Sequence, residues 1–244
     1  MSRRAVGWTS LSFLIALVVV YPLALSSYPQ LGSVDTVDGY VAARGALTLQ
    51  KLTLGYGLVF ILTLVQVAVF VALYEYGKDK APTLSAYAMV FLAGYPILNC
   101  LLIALQLGLT EQVTRLYRLA EYRDVSTLIL RLVLPNAQAT ALSGLGALPS
   151  LFLAVPTLVF GFLLLRDRLL WRIAGVLLLL SGAATLTGLL GIFELSPQLG
   201  RIALAAAFLF LPACAFLAIG GLRRPREAKT APDPTAAAAT AAGA

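Results

Sequence analysis

The chain has 244 residues, of which 60 % are hydrophobic and only 12 % charged, and its formal net charge is +7. A soluble domain carries about a quarter charged residues, so this composition excludes an ordinary water-soluble protein. The basic residues lie at the ends of long apolar runs, where they anchor membrane helices, so the positive charge does not indicate nucleic-acid binding.

Six apolar runs follow one another along the chain, and each approaches the ~20 residues that a helix needs to cross a bilayer. Runs such as Leu14–Val20 do not alternate apolar and polar residues, which favours helices over the strands of a membrane barrel. We predict an all-α, polytopic transmembrane bundle over residues 1–222, with six spans: Val6–Ser26, Leu52–Tyr74, Leu84–Leu107, Ala141–Leu165, Ile173–Phe193 and Ile202–Leu222.

The first run also has an alternative interpretation as a cleaved signal peptide. Arg3 and Arg4 precede it, and Ala24-Leu25-Ser26 is loosely similar to a cleavage site. Because the run is long enough to span and Tyr21-Pro22 interrupts the approach to that site, we favour an uncleaved helix. Six spans place both ends of the chain on one side, and the larger share of basic residues predicts that this side is the cytoplasm. We therefore expect a multi-pass protein of the cell inner (plasma) membrane.

Two loops are long enough to hold structure of their own. In the first, Val37–Leu49 predicts a short surface helix that leads into span two. In the third, Leu109–Gln138, apolar residues recur at helical spacing among four arginines. This pattern favours one or two amphipathic helices in the outer, non-cytoplasmic interface of the membrane. The alternative is that span three continues beyond the membrane. After Leu222 the chain becomes charged and then rich in Pro and Ala, so residues 223–244 predict a disordered cytoplasmic tail.

The sequence offers little catalytic chemistry. It contains no histidine, which removes the usual ligands of haem, zinc and copper and the base of a Ser-His dyad. The two cysteines, Cys100 and Cys214, lie in different spans and predict no disulfide. Acidic residues such as Asp167 stand at span ends, where we expect water to reach them. We therefore expect no enzyme activity, no cofactor and no metal site.

Uncharged polar residues inside the spans are the candidate functional residues. Gln66 lies in span two, and Asn99 and Gln106 lie two turns apart on one face of span three. Amides are unfavourable against lipid, so they predict either hydrogen bonds between helices or a polar pocket for a lipid head group or small molecule.

Small and aromatic residues also follow a pattern. Gly175, Gly182 and Gly188 recur about every two turns on span five, which predicts close helix packing. Tyr76 and Trp171 lie near span ends, the usual place of interfacial aromatic residues.

The segment Leu164–Gly182, LLRDRLLWRIAGVLLLLSG, reads as a span end, a short basic turn and an Arg-x-x-Gly entry into the next span. Together with Arg3-Arg4 and the long third loop, it resembles a family of small six-span bacterial membrane proteins that is catalogued only as a domain of unknown function. The resemblance covers residues 160–195, and it implies no activity and no functional residues.

These observations favour a non-enzymatic accessory or binding protein that acts through helix packing. The alternative is a transporter or binding protein for a small molecule or lipid, with a polar pocket at spans two and three. The partners we expect are membrane lipids and either a partner membrane subunit or further copies of this chain, and not nucleic acid.

Overall fold

The structure is a computed structural model. Helices make up 91 % of the residues that it describes, and these residues contain no strand. The backbone is described at residues 3–27, 38, 41–42, 48–133, 141–192 and 208–223. The predicted all-α class is therefore confirmed. The helices are α1 (Arg3–Ser27), α2 (Leu49–Gly77), α3 (Pro82–Tyr117), α4 (Arg123–Val133), α5 (Ala141–Leu164), α6 (Leu169–Ile192) and α7 (Phe210–Leu222).

Four of these helices, α1, α2, α3 and α6, contain stretches that are long and apolar enough to cross a membrane. Shorter apolar stretches form Pro149–Leu164 of α5 and α7. The protein therefore has the helices of a multi-pass membrane protein. Residues 202–207 of the predicted sixth span and the tail from residue 224 onwards lie outside the described residues.

The third loop contains both an extension of span three and a separate helix. α3 is 36 residues long and continues span three to Tyr117, about 54 Å in total, well beyond a bilayer core of roughly 30 Å. A single 3-10 turn, Ala120–Tyr122, then reverses the chain into α4, which packs on α3 and α5. In the first loop Asp38, Val41 and Ala42 are helical, and most of the surface helix predicted there lies outside the described residues.

Six helices form a closed ring in the order α1, α2, α3, α5, α6 and α7, with α7 packed back on α1. Four aromatic rings fill its centre. Phe70 stacks on Phe210 at 5.5 Å between centroids, Phe13 meets Phe210 edge-on at 5.5 Å, and Phe160 lies 6.2 Å from Phe70. All four side chains are buried, so the core joins α1, α2, α5 and α7.

Glycines bring neighbouring helices into close contact, as predicted for Gly175 and Gly182. A Cβ on Gly175 would lie 2.7 Å from the Gly161 carbonyl oxygen, and one on Gly182 would lie 2.8 Å from Leu158 Cγ. Both α6 glycines therefore face α5 within the chain. Gly221 of α7 lies equally close to α1, because its Cβ would fall 2.5 Å from the carbonyl oxygen of Arg3. The surroundings of Gly188 lie outside the described part.

Candidate functional site

Four uncharged polar side chains join α2 to α3 within the predicted membrane region, and we call them the amide cluster: Thr63, Gln66, Tyr95 and Asn99. The Tyr95 hydroxyl donates to Gln66 Oε1 at 3.1 Å, and Asn99 Nδ2 donates to Thr63 Oγ1 at 2.8 Å. The Thr63 hydroxyl in turn donates to the Val59 carbonyl at 3.2 Å. The two helices are thus linked by two side-chain hydrogen bonds about one turn apart.

The amide cluster faces the inside of the ring. Gln66 stands four and seven residues before Phe70 and Leu73, which are 0 % and 1 % exposed, so the three share one helix face. Asn99 stands seven and four residues after Leu92 and Tyr95, which are also buried. Yet Gln66 and Asn99 themselves are only half-buried. The two amides are therefore partly accessible, unlike the side chains of the aromatic core.

Part of the hydrogen-bonding capacity of the amide cluster is unused. Gln66 receives a bond on Oε1, and its Nε2 group makes no bond within the described residues. Asn99 donates one Nδ2 hydrogen, which leaves its second hydrogen and Oδ1 without a described partner. Polar groups inside a membrane protein are normally paired, so these atoms can bind a further polar group.

Of the three predicted residues, the structure brings Gln66 and Asn99 to one interface, whereas the Gln106 side chain lies outside the described part. Thr63 and Tyr95 were not among the predicted residues. A signal for them exists, because Thr63 precedes Gln66 by three residues and Tyr95 precedes Asn99 by four, the spacings of neighbours on a helix face. Thr185 and Thr187 of α6, by contrast, donate to carbonyls of their own helix.

Replacing Thr63 with Val should destabilise the bundle by ~1 kcal/mol, because Asn99 Nδ2 loses its acceptor inside the membrane region. Thr157→Val is the matched control, since Thr157 is also buried and also donates to its own helix, at 2.7 Å to Leu153, but accepts no described bond. Thermal unfolding in a mild detergent measures both losses. Equal losses would show that the bond to Asn99 adds no stability.

A second cluster lies at one end of the ring around Asp167, in the turn between α5 and α6. Lys80 Nζ contacts both carboxylate oxygens at 2.9 and 2.8 Å, and the Tyr76 hydroxyl donates to Oδ1 at 3.0 Å. Arg3 Nε donates to the Tyr76 hydroxyl at 3.2 Å, and its guanidinium lies 3.6 Å from the carboxylate. Water has little access to Asp167, in contrast to the expectation for acids at span ends, because its side chain is only 8 % exposed.

Aromatic rings complete this Asp167 cluster. Tyr76 and Trp171 lie 4.6 Å apart between centroids, and Lys80 Nζ lies 4.1 Å from the centre of the Tyr76 ring. Its position near a span end had suggested that Trp171 lies in the lipid interface. It is only 2 % exposed, so it packs inside the bundle instead. Its indole nitrogen faces Gly220 of α7. The cluster therefore holds the ends of six helices together.

At the opposite end of the ring, the first loop contacts the turn between α3 and α4. The Tyr117 hydroxyl donates to Asp38, and Arg123 lies 3.4 Å from the same carboxylate. The Tyr117 hydrogen bond is the largest influence that lowers the pKa of Asp38 below its ordinary value of 3.8, and Arg123 lowers it further. All three side chains are at the surface or partly exposed.

This Asp38 contact should depend on pH in a defined direction. A carboxyl with a lowered pKa favours the folded contact above its ordinary pKa, and the contact is lost as the pH falls through the lowered value. Tyr117→Phe should raise the pKa of Asp38 toward 3.8, because it removes the hydrogen bond to the charged form. NMR titration of isotope-labelled aspartate carboxyls measures this, and an unchanged pKa would contradict the contact.

No family model, curated protein or solved structure matches this chain. The similarity of residues 160–195 to a six-span bacterial family therefore receives no support from family models.

Proposed function

We propose that the chain crosses the cell inner membrane six times, with both ends in the cytoplasm. The direction of the helices supports this. At the Asp167 cluster α1, α3 and α6 begin, while α2, α5 and α7 end, so the ring helices alternate in direction. α5 has 24 residues and an expected length of about 36 Å, enough to cross a bilayer core. Basic residues concentrate at this end, as they do on cytoplasmic sides: Arg3, Arg4, Lys78, Lys80, Arg166, Arg168, Arg172 and Arg223.

At the other end, we propose that α4 and the turn before it lie in the membrane–water interface on the non-cytoplasmic side. Leu119, Val125 and Leu128 are 53 %, 59 % and 62 % exposed, which is unfavourable in water and favourable against lipid. Arg115 and Arg118 are exposed beside them and suit the head-group region. Charged and apolar side chains thus occur together on a short helical segment, which is the pattern of interfacial helices.

Labelling of single cysteines tests this topology. In a background of Cys100→Ser and Cys214→Ala, we would introduce Asp79→Cys or Glu121→Cys, both exposed positions at opposite ends of the ring. A membrane-impermeant maleimide added to intact cells should label the variant at position 121 and spare the one at position 79. The reverse result would invert the orientation, and equal labelling of both would overturn the six-span arrangement.

For the function itself, we propose a non-enzymatic binding protein for a small molecule or lipid, with the amide cluster as its site. The observation that supports this is the pairing of interior position with partial exposure at Gln66 and Asn99. Two amides with unused hydrogen-bonding atoms inside a membrane bundle are unfavourable unless a polar group meets them. A packing role alone would leave them more fully buried.

A second candidate, an accessory subunit that packs on a partner helix, is favoured by the outer face of α2. Leu54, Gly57, Ile61, Leu64, Ala68 and Val71 are all exposed and repeat at alternating steps of three and four residues. That spacing is typical of the contact face of paired helices. The α6 glycines do not support this candidate, because they already contact α5.

Native mass spectrometry of the full chain from a mild detergent separates the two candidates. We expect wild type to retain a noncovalently bound small molecule that is reduced in Asn99→Leu and Gln66→Met and kept in Thr157→Val. Oligomers or a co-purified protein, together with no bound small molecule, would overturn the binding proposal and support the accessory subunit. An identical set of bound molecules in all variants would also overturn it, since binding would then not depend on the amide cluster.

A further inference from the structure

The amide cluster lies far from any charge along its two helices. Glu75 is the nearest charged residue to Gln66 on α2, nine residues or about 14 Å along the axis, and Glu111 is twelve residues or about 18 Å from Asn99 on α3. None of the six predicted spans contains Asp, Glu, Lys or Arg. A charged ligand group at this level would lose its hydration and gain no counter-ion, which is strongly unfavourable in a membrane interior.

The free hydrogen-bonding atoms are mainly donors. Gln66 Nε2 carries two hydrogens, and Asn99 Nδ2 carries one that Thr63 does not use. The acceptor Gln66 Oε1 is already bonded to the Tyr95 hydroxyl, which leaves the Nε2 group as the free end of this amide. A ligand that presents an acceptor oxygen, such as a carbonyl, ester or hydroxyl group, matches this set.

The helix faces that flank the cluster are apolar. On α2, Leu62 and Phe70 lie one turn before and one turn after Gln66. On α3, Leu102 and Ile103 follow Asn99 by three and four residues, and both are half-buried, as Asn99 is. The body of a ligand placed beside the amides would therefore contact hydrocarbon side chains, which favours an aliphatic molecule over a sugar or an amino acid.

We propose that the amide cluster binds an uncharged lipid through an oxygen of its polar end, which accepts hydrogen bonds from Gln66 Nε2 and Asn99 Nδ2. The inference deepens the proposed function and rests on it. Gln66 and Asn99 are the residues that determine specificity, Thr63 and Tyr95 position their amides, and the lipid class is defined by an oxygen acceptor without charge. Anionic phospholipids and plain hydrocarbons are excluded for opposite reasons, the first by charge and the second by the lack of an acceptor.

Three largely hydrocarbon probes that differ in their polar groups test this selectivity on the full protein in detergent. They are dioleoylglycerol, dioleoyl phosphatidylglycerol and squalene, and the readouts are the shift in Tm and the bound mass by native mass spectrometry. We expect dioleoylglycerol to stabilise wild type most. Gln66→Met and Asn99→Leu should each raise its Kd about three- to tenfold, the value of one lost hydrogen bond, while Thr157→Val leaves it unchanged.

The outcomes that contradict the inference also differ from those that contradict the binding function. Equal stabilisation by squalene would overturn the role of the amides as donors. Preferential binding of phosphatidylglycerol that is lost in Asn99→Leu would overturn the uncharged class and leave the amide cluster as a binding site. If none of the three probes bound in a way that depends on Gln66 or Asn99, the inference would be overturned, and the native mass spectrometry of the bound small molecule would decide the binding function separately.

Discussion

Asp167→Ala should lower the stability of the bundle by ~2 kcal/mol and its Tm by about 5 °C in detergent. The carboxylate is the common acceptor for Lys80, Tyr76 and Arg3, so its loss leaves two cations and a hydroxyl without their shared partner. Removing one member of a fully buried ion pair costs about 3–5 kcal/mol. Arg3 and Lys80 are 38 % and 37 % exposed, so water replaces part of the interaction that they lose. The expected loss is therefore ~2 kcal/mol, below the range for a fully buried pair.

The structure also supplies the controls for this change. Asp79→Ala removes an exposed carboxylate one residue before Lys80 and should alter the Tm by less than about 1 °C. Asp167→Asn keeps one carbonyl acceptor of the same shape and should lose roughly half as much stability as Asp167→Ala. If Asp167→Ala and Asp79→Ala behaved alike, the network would be an exposed ion pair of little energetic value, and the alternating arrangement of helix ends would lose its main support.

The positions of the helices follow from the sequence because hydrocarbon as solvent leaves few choices. A long apolar run must form all its backbone hydrogen bonds internally, so the runs that predict α1, α2, α5 and α6 agree with the helices to within a few residues. The same reasoning fails at the end of span three. Apolar residues at helical spacing predict a helix there, but they do not say whether it continues α3 or reverses after Tyr117. The 3-10 turn that decides this contains no Gly or Pro to mark it.

The Asp167 cluster could not be predicted from the sequence, because its members are far apart along the chain. Its members stand at residues 3, 76, 80, 167 and 171, and each alone has an ordinary explanation as a basic anchor, an interfacial aromatic or an exposed acid. Only the order of helices around the ring brings them together. The interior position of Gln66 and Asn99 was easier to predict from the sequence. Two amides in otherwise apolar spans must avoid lipid and so must face the interior. Their hydrogen-bond partners depend on the rotation of α2 against α3, which the pattern does not determine.

Gly221→Leu should open the ring between α1 and α7 and destabilise the bundle by ~3 kcal/mol. The first added carbon would lie 2.5 Å from the Arg3 carbonyl oxygen and 2.8 Å from the Gly7 Cα. Both are backbone atoms and cannot rotate away, so the two helices must separate by the width of a side chain. Gly108→Leu is the matched control, since a Cβ on Gly108 meets nothing within 4 Å.

Cys214 reports this opening directly, because it lies on α7, is 0 % exposed and has no disulfide partner. In a Cys100→Ser background, which removes the exposed thiol, N-ethylmaleimide should label Cys214 slowly in the parent protein and in Gly108→Leu, and rapidly in Gly221→Leu. Separation of α1 from α7 admits the reagent to a thiol that helix packing otherwise covers. Slow labelling together with an unchanged Tm in Gly221→Leu would mean that α1 and α7 do not meet at Gly7 and Gly221. The ring would then be open at that seam, and the aromatic contact of Phe13 with Phe210 could not hold α7 against α1.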